Sequence, residues 1–312
     1  MGFDFIGNSF NESINLLKSD FSDIFKGFFI IQFLALVVLV LGFGLAIAPY
    51  FLLLPAGTSL GAGGVLGLGL IFIVVSIIVI ILAVIFSKVI ASSSYNLVDS
   101  KYKKEPFGMI GQIGANIVPY VFYFIVNLVI TLIILGPFYA VYFFISTGSE
   151  LAASDSSGAG LGMYMAGTLI GLVLRGIITI IASILGLFIQ FAIFEVIVAR
   201  KGVIESFKRS FDLVKANLLE TVLFSFVLSL ISSVIIFVVL VIVVIVAIIM
   251  AVVFGLGAAM LSASLGAAYG VLVLIVLAIA GVIALMILAA LTALQDIIEI
   301  PAQYSYWKQI SK

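Results

Sequence analysis

Six apolar runs, each too long to be buried in a soluble core, constrain this chain more than any other feature. They cover about 27–54, 64–91, 117–146, 161–199, 219–254 and 267–300. Roughly 18 or more uncharged apolar residues are enough to cross a bilayer. Inside lipid every backbone N–H and C=O must be paired within the protein, which leaves helices or a closed barrel. Barrel strands would alternate in polarity over short stretches. These runs are continuous. The sequence therefore predicts an all-α, polytopic membrane protein with six transmembrane helices. Composition agrees, because 65% of the 312 residues are hydrophobic and 9% charged, whereas a soluble domain carries about 25% charge.

Lysine and arginine set the expected orientation. The connectors at 55–63, 147–160 and 255–266 contain neither. Of the 14 basic residues, all but Arg175 fall on the opposite side. The positive-inside rule makes that side cytoplasmic, with both termini there and the chain in the plasma membrane. No signal peptide is expected, since the first residues carry Asp4, Glu12, Asp20 and Asp23 with no basic stretch ahead of them. Formal net charge is zero, so no bias toward nucleic acid is expected. Cys and His are absent, which removes thiol chemistry, the usual zinc sites and imidazole acid–base work. No cofactor is expected. The expected partners are membrane lipids and a second membrane chain, either a copy of this one or another protein.

The basic connectors have their own pattern. Ile14, Leu17, Phe21, Ile24 and Phe28 recur at helical spacing, as do Phe107, Ile110, Ile113 and Ile117, and Phe207, Phe211, Val214 and Leu218. Each set predicts a short amphipathic helix at the inner interface. Two connectors also align with one another. Ser9, Phe10, Ser13, Leu16 and Lys18 fall on Ser206, Phe207, Ser210, Leu213 and Lys215. Pro106 to Ile117 is a weaker third copy, aligned through Asn116 and Asn217 after a one-residue gap. The expected organisation is one membrane domain of three repeat-like units, 9–91, 105–199 and 206–300, followed by a tail at 301–312. Two spans per unit make the repeats parallel, unlike the inverted repeats of many transporters.

The stretch from Ser206 to Asn217, Ser-Phe-Lys-Arg-Ser-Phe-Asp-Leu-Val-Lys-Ala-Asn, resembles the signature before the fifth span of a broad six-helix membrane family. That family includes the membrane domain fused to some bacterial glycerophosphodiester phosphodiesterases. The resemblance implies a fold and a membrane location. The soluble phosphodiesterase domain, with its histidines and metal-binding carboxylates, has no counterpart here, so no activity or catalytic residue is carried over.

Arg175 is the sharpest oddity, because a charge at mid-bilayer costs at least about 2.5–3.5 kcal/mol. A continuous helix to Ala199 would put it one span above the cytoplasmic surface, where it would snorkel to phosphates or anchor an anion. With Lys101, Lys103, Lys104, Lys208 and Arg209 it forms the set of expected lipid or anion contacts. Glu195, Asp296, Glu299 and Lys88 lie at inner ends of spans, where an interfacial network with Arg200, Lys201 or Lys308 outweighs a proton or ion site. Ser225, Ser229, Ser232 and Ser233 share a face of the fifth span, and Ala280, Gly281, Ala284 and Ala289 are small residues in the sixth. Both sets favour close helix packing. Asn127 and Gln190 are lone amides, expected to hydrogen-bond between helices. The Gly57–Gly69 run lacks a phosphate-loop motif and reads as a turn and helix entry.

The last three runs, at 161–199, 219–254 and 267–300, would extend ~50–58 Å as continuous helix, against a hydrocarbon core of about 30 Å. Either they break, or apolar ends rise beyond the membrane and take up a lipid or partner. The expected function is a non-enzymatic, lipid-interacting or membrane-organising component. The alternative is a permease for a lipid-like or apolar solute. An intramembrane enzyme ranks last, because no His, Cys or mid-membrane carboxylate pair exists to act as base or ligand.

Overall fold

A computed structural model describes residues 4–56, 62–153, 158–261 and 266–311, and no strand occurs among them. The helices are α1 (Asp4–Ala56), α2 (Ala62–Lys103), α3 (Met109–Ala153), α4 (Gly158–Ile189), α5 (Ala192–Ile197), α6 (Val203–Ala216), α7 (Leu218–Leu261) and α8 (Gly266–Ile310). Six stretches are long and apolar enough to cross a membrane: Ile6–Ala48, Ile71–Lys103, Met109–Ala152, Gly160–Ile197, Leu218–Val238 and Gly281–Ile310. Each overlaps one of the six expected runs, and together they mark a multi-pass helical membrane protein. Residues 57–61 of the glycine-rich run lie outside the described residues, and 62–69 open α2.

The helices outrun the membrane. α2, α3, α7 and α8 hold 42 to 45 residues, or ~63–68 Å at 1.5 Å per residue. The fourth run is the one that breaks. α4 stops at Ile189, a turn follows at Gln190 and Phe191, and α5 resumes for six residues. A helix end leaves carbonyls without intrahelical donors. Here the Ser210 hydroxyl, on α6, donates to the Phe188 carbonyl at 2.7 Å, so the break leaves that carbonyl satisfied.

The three connectors also differ from one another. Residues 203–216 form a separate helix, α6, ended at Asn217 with φ −125° and ψ 36°. Residues 10–28 lie within α1, interrupted at Asp20 with φ −131° and ψ 21°. Residues 109–117 are not set apart, because α3 continues from Met109 through Pro119 without interruption. α2 ends in a Schellman turn: Glu105 N–H donates to Ser100 O (2.8 Å) and Lys104 N–H to Lys101 O (3.2 Å). Lys104 takes the left-handed position, with φ 57°.

The chain forms two compact units, residues 1–117 with 224–312, and residues 118–223. In the first, α1 packs along α2 and α8. Ile24, Phe28, Ile31 and Ala35 form its buried stripe, spaced so that one face of α1 meets its neighbours. A Cβ at Gly42 would lie 2.1 Å from the Ala83 Cβ, so the glycine lets α1 and α2 approach closely. In the second unit, a Cβ at Gly167 of α4 would lie 2.6 Å from the Ser149 Cβ of α3. The α3–α4 pair therefore approaches closely there.

Candidate functional site

Glu195 sits on α5 and is fully buried. Lys201 Nζ lies 2.7 Å from one carboxylate oxygen and Arg209 Nε 3.0 Å from the other. The turn between α5 and α6 makes this arrangement. Arg200 adopts φ 56°, and Lys201 N–H then donates to the Glu195 carbonyl at 3.0 Å. Lys201 thus holds Glu195 through backbone and side chain together. A buried carboxylate is tolerable only when paired in this way. Partial burial draws the Arg200 guanidinium below its ordinary value by desolvation. The expected partner Lys201 is in place. Arg209, one of the expected lipid or anion contacts, also pairs with Glu195 from the next helix.

Beside this centre, in the same unit, lies an apolar groove of about 340 Å³. Ile130 and Ile134 of α3, Ile184 and Phe188 of α4, and Phe207 and Phe211 of α6 line it. Phe188 and Phe211 stack with centroids 4.6 Å apart. α6 turns Ser206, Phe207, Ser210 and Val214 inward, while Phe211 stays 48% exposed and Lys208 and Lys215 are exposed. The sequence pattern marked the phenylalanines. It did not show that the inward face carries two serines.

A second cavity, of mixed polarity and about 190 Å³, opens between α3 and α4 at their other ends. Tyr142, Ser149 and Glu150 come from α3, and Tyr164, Thr168 and Arg175 from α4. Arg175 is exposed. Among the described residues no carboxylate lies within 4.0 Å of it. Arg175 stands 14 residues before the end of α4, ~21 Å along the axis, where a helix unbroken to Ala199 would give ~36 Å.

The remaining expected residues are scattered. In the first unit Lys101 pairs with Asp23 at 3.5 Å and Lys103 with Asp99 at 2.8 Å, while Lys104 is exposed. Glu299 accepts from Gln295 at 3.0 Å, and Gln32 donates to Asp296. Ser232 is buried, but Ser229 and Ser233 are exposed, with Ser233 Oγ donating to the Ser229 carbonyl at 2.7 Å. Ser225 is half-buried, as are Asn127 and Gln190, and Gln190 occupies the α4–α5 turn. No group of three Asp or Glu side chains placed to hold a metal ion occurs among the described residues.

Sequence reasoning missed a polar stripe near the end of α2. Ser92, Asn96 and Ser100 are buried there. Asn96 Nδ2 donates to Asn116 Oδ1 and Asn116 Nδ2 to Ser92 Oγ, each at 3.1 Å. Tyr304 OH donates to Asp99 at 2.6 Å. Spacing by four residues at 92, 96 and 100 was the available signal. No curated protein and no solved structure matches the chain. A family model described as a family of unknown function, DUF7544, matches residues 105–303. That match covers more than half of the 312 residues, so the protein belongs to this family of unknown function.

Proposed function

We propose that this protein is a lipid-binding component of the plasma membrane that works without a chemical step. The groove lined by Ile134, Ile184, Phe188 and Phe211 carries the reading. Its volume, about 340 Å³, is of ligand-pocket size, and its lining offers an acyl chain nothing to hydrogen-bond. Lys208, next to Phe207 on α6, is an exposed cation beside it, and each such charge near the surface contributes roughly 1 kcal/mol toward an anionic headgroup. The basic connectors put this end of the unit on the cytoplasmic side, with both termini.

Two finer features belong to the same proposal. α6 serves as an interfacial helix, because it carries exposed Phe211, Lys208 and Lys215 on one short segment. The N-terminal connector and α6 are repeats, because the aligned residues Asp20 and Asn217 leave helical geometry at nearly the same angles, −131°/21° and −125°/36°. The Ser206–Asn217 pattern extends this to kinship with the membrane domain fused to glycerophosphodiester phosphodiesterases.

Native mass spectrometry of the gently purified protein, with lipid analysis, tests the function. Retained phospholipid is expected, and Ile184→Trp, which fills the groove, is expected to lower the number retained by one per chain while the unfolding midpoint is kept. A lipid complement unchanged by Ile184→Trp, together with a reproducible protein partner, would overturn lipid binding in favour of a scaffold. The permease alternative draws on the two cavities of one unit, with Phe188 and Arg175 13 residues apart on α4, or ~20 Å. Lipid movement between leaflets of proteoliposomes, lost in Arg175→Gln, would favour it.

A further inference from the structure

We propose that the Arg175 cavity binds a phosphoethanolamine group, a phosphate joined to a primary ammonium by a short spacer. The polarity of its two ends leads to this ligand. Gly167 meets Ser149, and Glu150 is the next residue of α3. Arg175 lies eight residues further along α4, ~12 Å away on the axis. Glu150 and Arg175 therefore line one cavity of about 190 Å³ from backbone positions toward its opposite ends. They are not paired with each other.

The hydroxyls sharpen the distinction. Ser149 Oγ donates its proton to the Ser146 carbonyl at 2.7 Å, and Thr168 Oγ1 to the Tyr164 carbonyl at 2.8 Å. Both residues line the cavity, and their hydroxyl protons are already committed, so these oxygens have only acceptor capacity left. With Glu150 they make the end nearer the 153–158 connector an acceptor end, framed by Tyr164, whose ring face attracts a cation. The Arg175 end supplies planar N–H donors suited to a phosphate. A primary ammonium donates to several acceptors at once. A quaternary ammonium has no proton to give, and a glycerol headgroup has no charge for Glu150. The order also suits a lipid, since in a phospholipid the phosphate lies between the ammonium and the acyl chains, and Arg175 is further from the connector than Glu150.

This inference is independent of the groove proposed above, because its residues lie at the other end of α3 and α4. The test is native mass spectrometry of the full-length protein in nanodiscs of phosphatidylethanolamine, phosphatidylcholine or phosphatidylglycerol. A preference of roughly tenfold for phosphatidylethanolamine is expected, as one lost charged hydrogen bond implies. Glu150→Gln is expected to level the three lipids, and Arg175→Gln to weaken all of them. Ile184→Trp is expected to leave the preference intact, which separates this site from the groove. Free O-phosphoethanolamine that displaces the lipid identifies a soluble ligand. Failure to displace it identifies a lipid headgroup. Equal retention of the three lipids by the unaltered protein would overturn the proposal, as would a preference that survives Glu150→Gln.

Discussion

Glu195 and Arg175 are 20 residues apart on the fourth apolar run, and the structure treats their charges in opposite ways. Glu195 is fully buried and held by Lys201 and Arg209. Arg175 is exposed, lines a cavity, and is more than 4.0 Å from every carboxylate among the described residues. A buried charge must be neutralised by its neighbours or it destabilises the fold. An exposed one keeps its hydrogen-bonding capacity for something outside the protein. The first charge is therefore structural, and the second is available to a ligand.

The comparison can be broken at three places. The largest effect is expected from removing both cations around Glu195. Lys201→Ala with Arg209→Ala leaves a buried carboxylate alone, at about 3–5 kcal/mol of stability, read as denaturant-induced unfolding in detergent. Adding Glu195→Gln to that pair should recover much of the loss, because the stranded charge is gone. No recovery would mean that the cations stabilise through packing rather than pairing. A smaller effect belongs to the α3–α4 contact. Gly167→Leu forces a side chain onto Ser149 and should destabilise by roughly 1–3 kcal/mol. Gly176, where a Cβ meets nothing within 4 Å, is the control and should tolerate leucine. The smallest effect is Arg175→Gln, expected to move stability by no more than about 0.5 kcal/mol. A loss as large as that at the Glu195 centre would show that Arg175 is structural after all.

Much of the scaffold was legible. The six runs and the Lys201 partner of Glu195 follow from residues close together in sequence. Asp20 and Asn217 were aligned by pattern, and both prove to be places where the helix is interrupted. The breach at Gln190 was not legible, because its stabilising hydroxyl comes from Ser210 on another helix. The pairing of Asn96 with Asn116 was missed for the same reason. Each asparagine alone is one more polar residue near the end of an apolar run.

The amino-acid order by itself determined that the chain is helical, that it crosses the membrane several times and which connectors are basic. Those properties depend on local periodicity and on transfer of side chains into lipid, and neither needs a partner. Tertiary structure decided which charges are spent and which are free. That outcome turned on a six-residue helix, a left-handed Arg200 and the return of α6. Together they carry Arg209 onto a carboxylate 14 positions away, a contact that depends on where the chain bends.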